Sequence, residues 1–508
     1  MTNKHNIDLS LYDIAKCFDA QWFEETMNDL WDVGVKDDKF ALISEMNSKC
    51  KIAIKTPVGQ TDRFEMDRIE MQGTVMAPIK ASVQLDTLGR DCYMRKEGLY
   101  IYKKCVAVPP LMMIDDLAAF SVCGTDSIKS NAIINVKIAC KKLEFGPSKC
   151  FNMHIGKEIQ SCTKLKVNDK STMAVKSHET YLGEIICTSG SNDRNIQNKR
   201  NSGLSAVSQI TSMLNQISLG HYYFEIALVL RDTILISKMA SSSEIWYDIT
   251  KQQIRQLEQI DEMFLLQVFC APKSTPRLNL YIECGRLPLQ YVIKTRRMMY
   301  YWHILHLDKS ELLYKFYVAQ KLKANKNDWV TQIIKDKKDL QIEISDEEVA
   351  RMSKFRFKQL LKDKVNEFAT KCFQAIQLKQ SKSSKLEISK SIKPAEYLFS
   401  KNLCLEEKQT LFKLRSRTID VKMNQESAYR NKTWCQTCFL FPESQEHIFN
   451  CTEIRKNMKD VNINGVNYEM IYGKYEKQEK FVKIYHLMLK VRKDMLNKSS
   501  TAGGPVHQ

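Results

Sequence analysis

Glycine and proline are scarce in this 508-residue chain, at 17 and 11 residues, which excludes collagen-like repeats and low-complexity classes. Long apolar runs are missing too. Stretches such as Ile226–Leu230 fall far short of the roughly 20 residues that cross a bilayer, so no membrane partner is expected. The opening Met-Thr-Asn-Lys-His-Asn lacks the apolar core and small-residue cleavage site of a secreted precursor. Walker loops, Gly-rich dinucleotide fingerprints and serine-hydrolase elbows are also absent. His154 and His178 stand alone, and His303 with His306 is only a three-apart pair in a helical pattern.

What is present bounds the answer from the other side. With 44% hydrophobic and 27% charged residues, the chain has enough apolar surface to offset its conformational entropy, and its length suits two to four domains. Lys plus Arg number 77 against 59 Asp plus Glu, a formal charge of +18. Such an excess points to a polyanion, nucleic acid before an anionic surface. Sixteen cysteines without a secretory signal read as reduced thiols of a nuclear and cytoplasmic, not secreted, protein.

The pattern changes along the chain. Residues 1–190 mix β-rich runs such as Lys51–Thr56 and Gly98–Val108 with helical ones such as Gln21–Val33, the mark of an α+β domain. Residues 191–306 turn helical. Residues 307–430 stay helical but become lysine-rich, and Lys379–Lys393, with its serines, reads as a solvated linker. Residues 431–455 hold a Cys/His cluster, and 456–508 form a basic helical tail with a disordered end. In the cluster, Cys435 and Cys438 are followed by His447 and Cys451 with two, eight and three residues between them. Three thiolates and one imidazole suffice for a closed tetrahedral Zn²⁺ site, one structural ion, and a knuckle this small needs its metal to fold.

Carboxylates stand out by their flanks. Asp115 and Asp116 follow the apolar run Leu111–Ile114 and lead into another, the pattern of a hairpin with an acidic turn, and Asp13 lies in Leu11–Asp19. Adjacent acids in apolar surroundings cost several kcal/mol unless a cation compensates. Two Mg²⁺ ions are the natural compensation, and an exposed acidic turn is the alternative.

Order along the chain adds a resemblance. Asp13–Asp19, Gln72-Gly73 with Pro78, Ile114-Asp115-Asp116, Leu143–Lys149 and Tyr181-Leu-Gly-Glu184 resemble five successive palm blocks of the reverse transcriptases of animal non-LTR (LINE-like) retrotransposons. The resemblance implies a polymerase palm over 1–190, a helical thumb over 191–306, a lysine-rich connection over 307–430 and a CCHC zinc knuckle over 431–455. It implies an RNA-directed DNA polymerase in which Asp13, Asp115 and Asp116 hold magnesium and Lys149 approaches the pyrophosphate. Phe18 would be the steric gate, Gln72 and Gly73 would line the nucleotide pocket, and Tyr181, Leu182 and Gly183 would grip the primer. The implied partners are an RNA template, a DNA primer or target DNA, and deoxynucleoside triphosphates. Outside the resemblance, Phe18 reads equally as a core ring and Lys149 as a surface cation.

Two basic segments are further candidates for nucleic acid. Lys294–Trp302 interleaves cations with aromatics, either as a phosphate-and-base surface or as an amphipathic helix with its rings inside. Lys413–Thr418 precedes the knuckle, as in similar polymerases. The first block lies almost at Met1, so the expectation is a chain without fingers or endonuclease, whose alternative role is that of a catalytically inactive nucleic-acid-binding remnant.

Overall fold

The computed structural model describes residues 7–48, 51–65, 75–94, 99–101, 106–122, 124–156, 164–168, 171–322, 328–388, 392–424, 433–458 and 461–501. Gln72 and Gly73 lie outside the described residues. The chain divides into two compact units, one comprising Met1–Asn195 with Leu307–Val330 and the other Ile196–His306 with Thr331–Gln508. The fold class is α+β, as the sequence implies, with a five-stranded, mostly antiparallel sheet in the first unit and helices dominating the second.

The first unit is organised by strand β1 (Ile7–Asp13), which is buried along nearly its whole length. It pairs antiparallel with β3 (Asp116–Ser121) on one side and β4 (Phe151–Ile155) on the other. The edge beyond β3 is β2 (Leu111–Met113), and beyond β4 lies the short parallel β5 (Ala174–Val175). A strand alternates its side chains between two faces, and β1 buries both. Leu9 and Leu11 pack with Ala118, Phe151 and Met153 on one face, whereas Tyr12 joins Leu117, Ala119, Ile134 and Ile138 on the other.

Helices α1 (Ala77–Met94) and α2 (Gly124–Cys140) serve the second of these faces. In α2 the buried positions Ser127, Ser130, Asn131, Ile134 and Ile138 recur at helical spacing. The Tyr12 hydroxyl reaches up to Asn131 Oδ1 at 2.9 Å, fixing the helix over the sheet. On the opposite face a hairpin of β6 (His178–Tyr181) and β7 (Glu184–Cys187) lays Tyr181 and Ile186 against the Leu9 cluster. Its two-residue turn has positive φ at both Leu182 and Gly183, the geometry that matches the twist of antiparallel strands.

The second unit is held by desolvated ion pairs. Helix α3 (Tyr223–Leu230) widens into a π turn over Arg231–Leu235, and Arg231 is almost wholly buried there. Its Nε and Nη2 donate to the Asp261 carboxylate at 2.7 and 2.6 Å, and the Tyr281 hydroxyl donates to the same group at 3.1 Å. Asp261 lies on α4 (Lys251–Val268), whose start is closed by a Thr250–Gln253 capping box.

The interleaved segment Lys294–Trp302 belongs to α5 (Leu289–Leu305), and its groups are spent inside the unit. Lys294 and Arg297 both donate to Asp336, at 2.9 and 2.7 Å, while Tyr301 bonds Asp346 and Trp302 bonds the Met352 carbonyl. It is an internal helix, not a free stacking surface. Arg415 of the second basic segment is likewise turned inward, onto Glu283 at 2.8 Å and the Ile471 carbonyl at 2.7 Å. Two described residues of the serine-lysine stretch turn inward. Ser383 and Leu386 are buried, and Gly285, at φ +60, leaves only 2.0 Å between a would-be Cβ and the Pro394 nitrogen. Among the described residues no helix is long and apolar enough to cross a membrane.

Removing one partner of a buried pair leaves an uncompensated charge, at a cost of about 3–5 kcal/mol. Asp261→Asn should therefore lower the urea midpoint of the second unit markedly, read by Trp246 burial and circular dichroism. A midpoint within error of the unsubstituted protein would show that the Arg231 pair is not a stabilising element.

Candidate functional site

Register brings the acids together. Asp13 is the last residue of β1 and lies directly opposite Asp116, the first residue of β3, so their Cα atoms are neighbours across one ladder step. Both share the face of Leu9, Leu11 and Ala118, the one turned away from α1 and α2. Asp115 sits in the tight turn between β2 and β3 beside Ile114, whose φ is +59. A β-branched residue in the left-handed region is strained, and here the strain lies at the acidic tip.

The fourth block closes on the first. Gly146 N–H donates to the Asp13 carbonyl at 2.9 Å, and a Cβ at Gly146 would stand 3.2 Å from Asp13 Oδ2. Glycine thus leaves the carboxylate its room. Three residues on, Lys149 Nζ lies 3.2 Å from Asp13 Oδ1. That lysine is 70% exposed, so it is tethered at one end and free to swing. Cys150 is buried behind Asp13, its sulfur 3.4 Å from the Asp13 nitrogen, and burial pushes its thiol up to about 11.

Electrostatics mark the same spot. The Asp116 carboxyl is raised above the ordinary aspartate value, first by burial and then by the neighbouring Asp115 and Asp13 charges, with Lys149 pulling the other way. Burial and the Asp116 charge raise the Tyr181 hydroxyl to about 12, which sets Tyr181 beside the acids as a neutral donor. Cys17 is pushed up to about 12 by burial, with Asp115 and Asp13 adding to it. Phe18 follows in the turn after β1 and leans, half-buried, on the core under that turn. Leu182 and Gly183 form the exposed-side turn of the β6–β7 hairpin.

Asp13 and Asp116 are therefore paired across the ladder with Lys149 reaching Asp13, Asp115 lies in the turn before Asp116, Tyr181 packs on the Leu9 cluster, Phe18 lies on the turn after β1, and Gln72 and Gly73 fall outside the described residues. Gly146, Cys17 and Cys150 were missed by sequence reasoning. The positions of Cys17 inside the first block and Gly146 inside the fourth were the signals. Two aspartates paired across the ladder and a third in the adjoining turn, in a cradle kept open by glycine, could hold a hard divalent cation.

A second cluster lies in the other unit. Cys435, Cys438, His447 and Cys451 offer four ligand atoms that all lie within 4.8 Å of one another. The Cys435 and Cys451 sulfurs are 4.0 Å apart, and Cys438 Sγ is 3.2 Å from His447 Nε2. Tetrahedral bonds of about 2.3 Å to sulfur imply sulfur separations of roughly 3.8 Å, so the cluster could bind a zinc ion. Burial opposes the Cys435 charge, but the Thr437 hydroxyl and the N–H groups of Thr437 and Cys438 outweigh it and lower its thiol. Burial also lowers His447 and keeps its ring neutral. Among the described residues this is the one group of three or more metal-competent side chains that converges so fully.

Sequence reasoning missed the clamp behind the cluster. Glu443, wholly buried, accepts from Arg492 at 2.6 Å and from the backbone N–H groups of Lys422 and Gln436. Arg492 belongs to the long helix α6 (Tyr475–Thr501). The clamp ties the ligand loop to that helix.

Comparison with known proteins adds little beyond this geometry. No family model matches the chain, and no curated protein sequence matches it. The solved structures that match include telomerases. That of Candida albicans, in complex with a TWJ fragment of telomeric RNA, is 12% identical over 53% of this chain and 48% of its own, at a TM-score of 0.30. The corresponding complex from Candida tropicalis gives 11%, 52%, 47% and 0.27, and the apo enzyme of that organism 10%, 70%, 53% and 0.31. The chain spans about half the length of these telomerase chains.

Two outcomes follow from the electrostatics. Because the folded value of Asp116 is raised, its favourable protonated form is fully present below the ordinary aspartate value near ~4. That contribution is lost as pH climbs through the raised value, which leaves a penalty at neutral pH. Asp116→Asn should raise the calorimetric midpoint of metal-free protein at pH 7, with the gain shrinking toward pH 4, and Mg²⁺ should stabilise only the unsubstituted chain. Equal midpoints at pH 7 would remove the crowding.

The Cys₃His cluster should retain one zinc per chain through gel filtration, and Cys438→Ser should lose it. Hydrogen exchange in residues 433–458 should then quicken by about a hundredfold or more, with the Arg231 core unaffected. Unchanged protection in metal-free protein would make the cluster coincidental.

Proposed function

We propose that the chain is a palm, thumb and zinc-knuckle portion of a non-LTR retrotransposon reverse transcriptase, an RNA-directed DNA polymerase acting at the Asp13–Asp116 site. The observation that carries this is the register pairing of Asp13 with Asp116 on the sheet face away from the helices, with Asp115 in the adjoining turn and Lys149 at hand. Asp13, Asp115 and Asp116 would hold two Mg²⁺ ions, which when bound supply activation of a primer 3′-hydroxyl and charge neutralisation on a departing pyrophosphate.

The chain's own residues do the rest. Lys149, released from Asp13, turns its ammonium to the triphosphate and donates a proton to the leaving group. Phe18 crowds the ribose 2′ position and so selects deoxynucleotides. On the resemblance, Gln72 and Gly73, outside the described residues, would line the pocket for base and template. Tyr181, neutral at working pH, donates its hydroxyl toward the acid site, and the Leu182-Gly183 turn backs the primer terminus. The second unit and its knuckle hold template and primer or target DNA, in the nucleus and cytoplasm.

A second reading has its own support. The converging ligand set among the described residues is the cysteine cluster and not the acids, which favours a catalytically inactive chain that binds RNA or DNA through its helices and knuckle.

Primer extension on an RNA template with Mg²⁺ and deoxynucleotides separates the two. Extension by the chain, lost below detection in Asp115→Asn, Asp116→Asn protein that binds RNA equally well, is the expected result. Salt-sensitive RNA binding without extension in either protein would leave the second reading standing.

A further inference from the structure

The loop that carries the first two ligands of the Cys₃His cluster is not held by apolar packing. Trp434 is 53% exposed, Phe439 73% and Leu440 63%, so the large side chains at its tip face outward. What fixes the loop is polar. Phe439, at φ +56, donates its N–H to the Cys435 carbonyl at 2.9 Å, and Cys435 N–H donates to the Phe441 carbonyl at 2.8 Å. One residue before Thr437, the Gln436 N–H is held by the buried Glu443 carboxylate at 3.3 Å.

The four ligands arrive on two pieces of chain. Cys435 and Cys438 sit on this loop, while His447 and Cys451 lie one turn apart on the short helix Gln445–Asn450 and its C-terminal cap. The Ser444 hydroxyl closes the start of that helix by accepting the His447 N–H at 3.0 Å. Ligand meets ligand twice across the gap, Cys438 with His447 and Cys435 with Cys451. A third contact comes from a side chain that is not a ligand. Thr437 Oγ1 lies 3.0 Å from Cys435 Sγ and 3.3 Å from Cys451 Sγ, and so reaches from the loop to the helix cap.

Counting protons sets the direction of these hydrogen bonds. A thiol gives up its proton when it ligates a metal, so beside two thiolates the threonine hydroxyl is the one group of the three with a proton to give. Three thiolates and a neutral imidazole around Zn²⁺ carry one negative charge in excess. Cys435 and Cys451 are wholly buried, beyond the reach of water, whereas Cys438 and His447 are half-buried. Cys435 also has the N–H groups of Thr437 and Cys438. At Cys451 the Thr437 hydroxyl is the oxygen or nitrogen donor found among the described residues.

We propose that Thr437 is a positioning residue of this metal centre, its hydroxyl donated to the buried Cys435 and Cys451 thiolates so that the loop stays tied to the helix and the ion is retained. Exchange of the ion is left to the half-buried Cys438–His447 edge. Groups that hydrogen-bond metal ligands typically change metal affinity by about 10–100-fold. The inference rests on the reading of the cluster as a zinc site and names the residue that closes it.

The test uses the full chain loaded with Zn²⁺ or Co²⁺. Valine matches threonine in shape without the hydroxyl, and serine keeps the hydroxyl. Thr437→Val should speed the transfer of zinc to a chromogenic chelator by about tenfold or more, and Thr437→Ser should restore most of the difference. In the cobalt proteins the d–d bands of a four-coordinate site should be the same for all three chains. The sulfur-to-cobalt charge-transfer band should move to longer wavelength in Thr437→Val alone, because a thiolate that loses a hydrogen bond holds its electrons less tightly. Equal transfer rates, or faster transfer without the band shift, would overturn the proposal. So would a loss that serine does not restore, which would assign Thr437 to packing. A chain that binds zinc but ignores the valine substitution sinks only this inference. An unsubstituted chain that gives no cobalt spectrum sinks the zinc reading and the inference together.

Discussion

The antiparallel register of β1 against β3 is the constraint on which the acid site depends. Because side chains alternate with a period of two, a slip of one residue would move Leu9, Leu11 and Asp13 to the helix-covered face together. The apolar residues on both faces of β1 forbid that slip. Asp13 is therefore held opposite Asp116 by the packing of residues that never touch a ligand. The acids contribute nothing to their own placement and repel one another once placed, as the raised Asp116 shows. Lys149 offsets part of that repulsion from solvent, where it can also let go.

The second unit answers the same problem differently. Its buried arginines find partners far along the chain, Arg231 with Asp261, Arg297 with Asp336, Arg415 with Glu283 and Arg492 with Glu443. A cation committed in this way is not available to a phosphate, since leaving its partner would strand a buried carboxylate. Lys294, also on Asp336, is committed in the same way. The predominance of arginine in these buried pairs fits the planar guanidinium's ability to satisfy two acceptors at once.

What could be read from the sequence was what is local. The hairpin with an acidic turn followed from two apolar runs around Asp115-Asp116, and the cysteine cluster from three short spacings, because a few adjacent residues determine each. The α+β class followed from changes of period. The fate of Lys294–Trp302 was not legible, since Asp336 lies 39 positions beyond Arg297 and no local signal tells a paired arginine from a free one. Gly146 escaped for a related reason. Its neighbour Asp13 is remote in sequence, and only the closure of the Glu144–Gly146 segment onto the end of β1 makes a missing Cβ matter.

The knuckle joins these two kinds of information. Its ligands are local, but the loop they shape is only as fixed as its attachments, among them the long-range pair of Arg492 with Glu443 and the Tyr485 hydroxyl on the Gln445 carbonyl. Glu443 also holds the backbone N–H of Gln436, between the first two cysteines, and that of Lys422 before the cluster. A bound metal and the clamp would therefore constrain the same few residues from opposite sides. Loss of the ion would free the ligands but leave the Glu443 end of the loop on α6, whereas loss of the clamp would leave an intact cluster on a loosened stalk. An exposed apolar tip is tolerable only when its surroundings cannot collapse over it, and two independent restraints on so short a loop meet that condition.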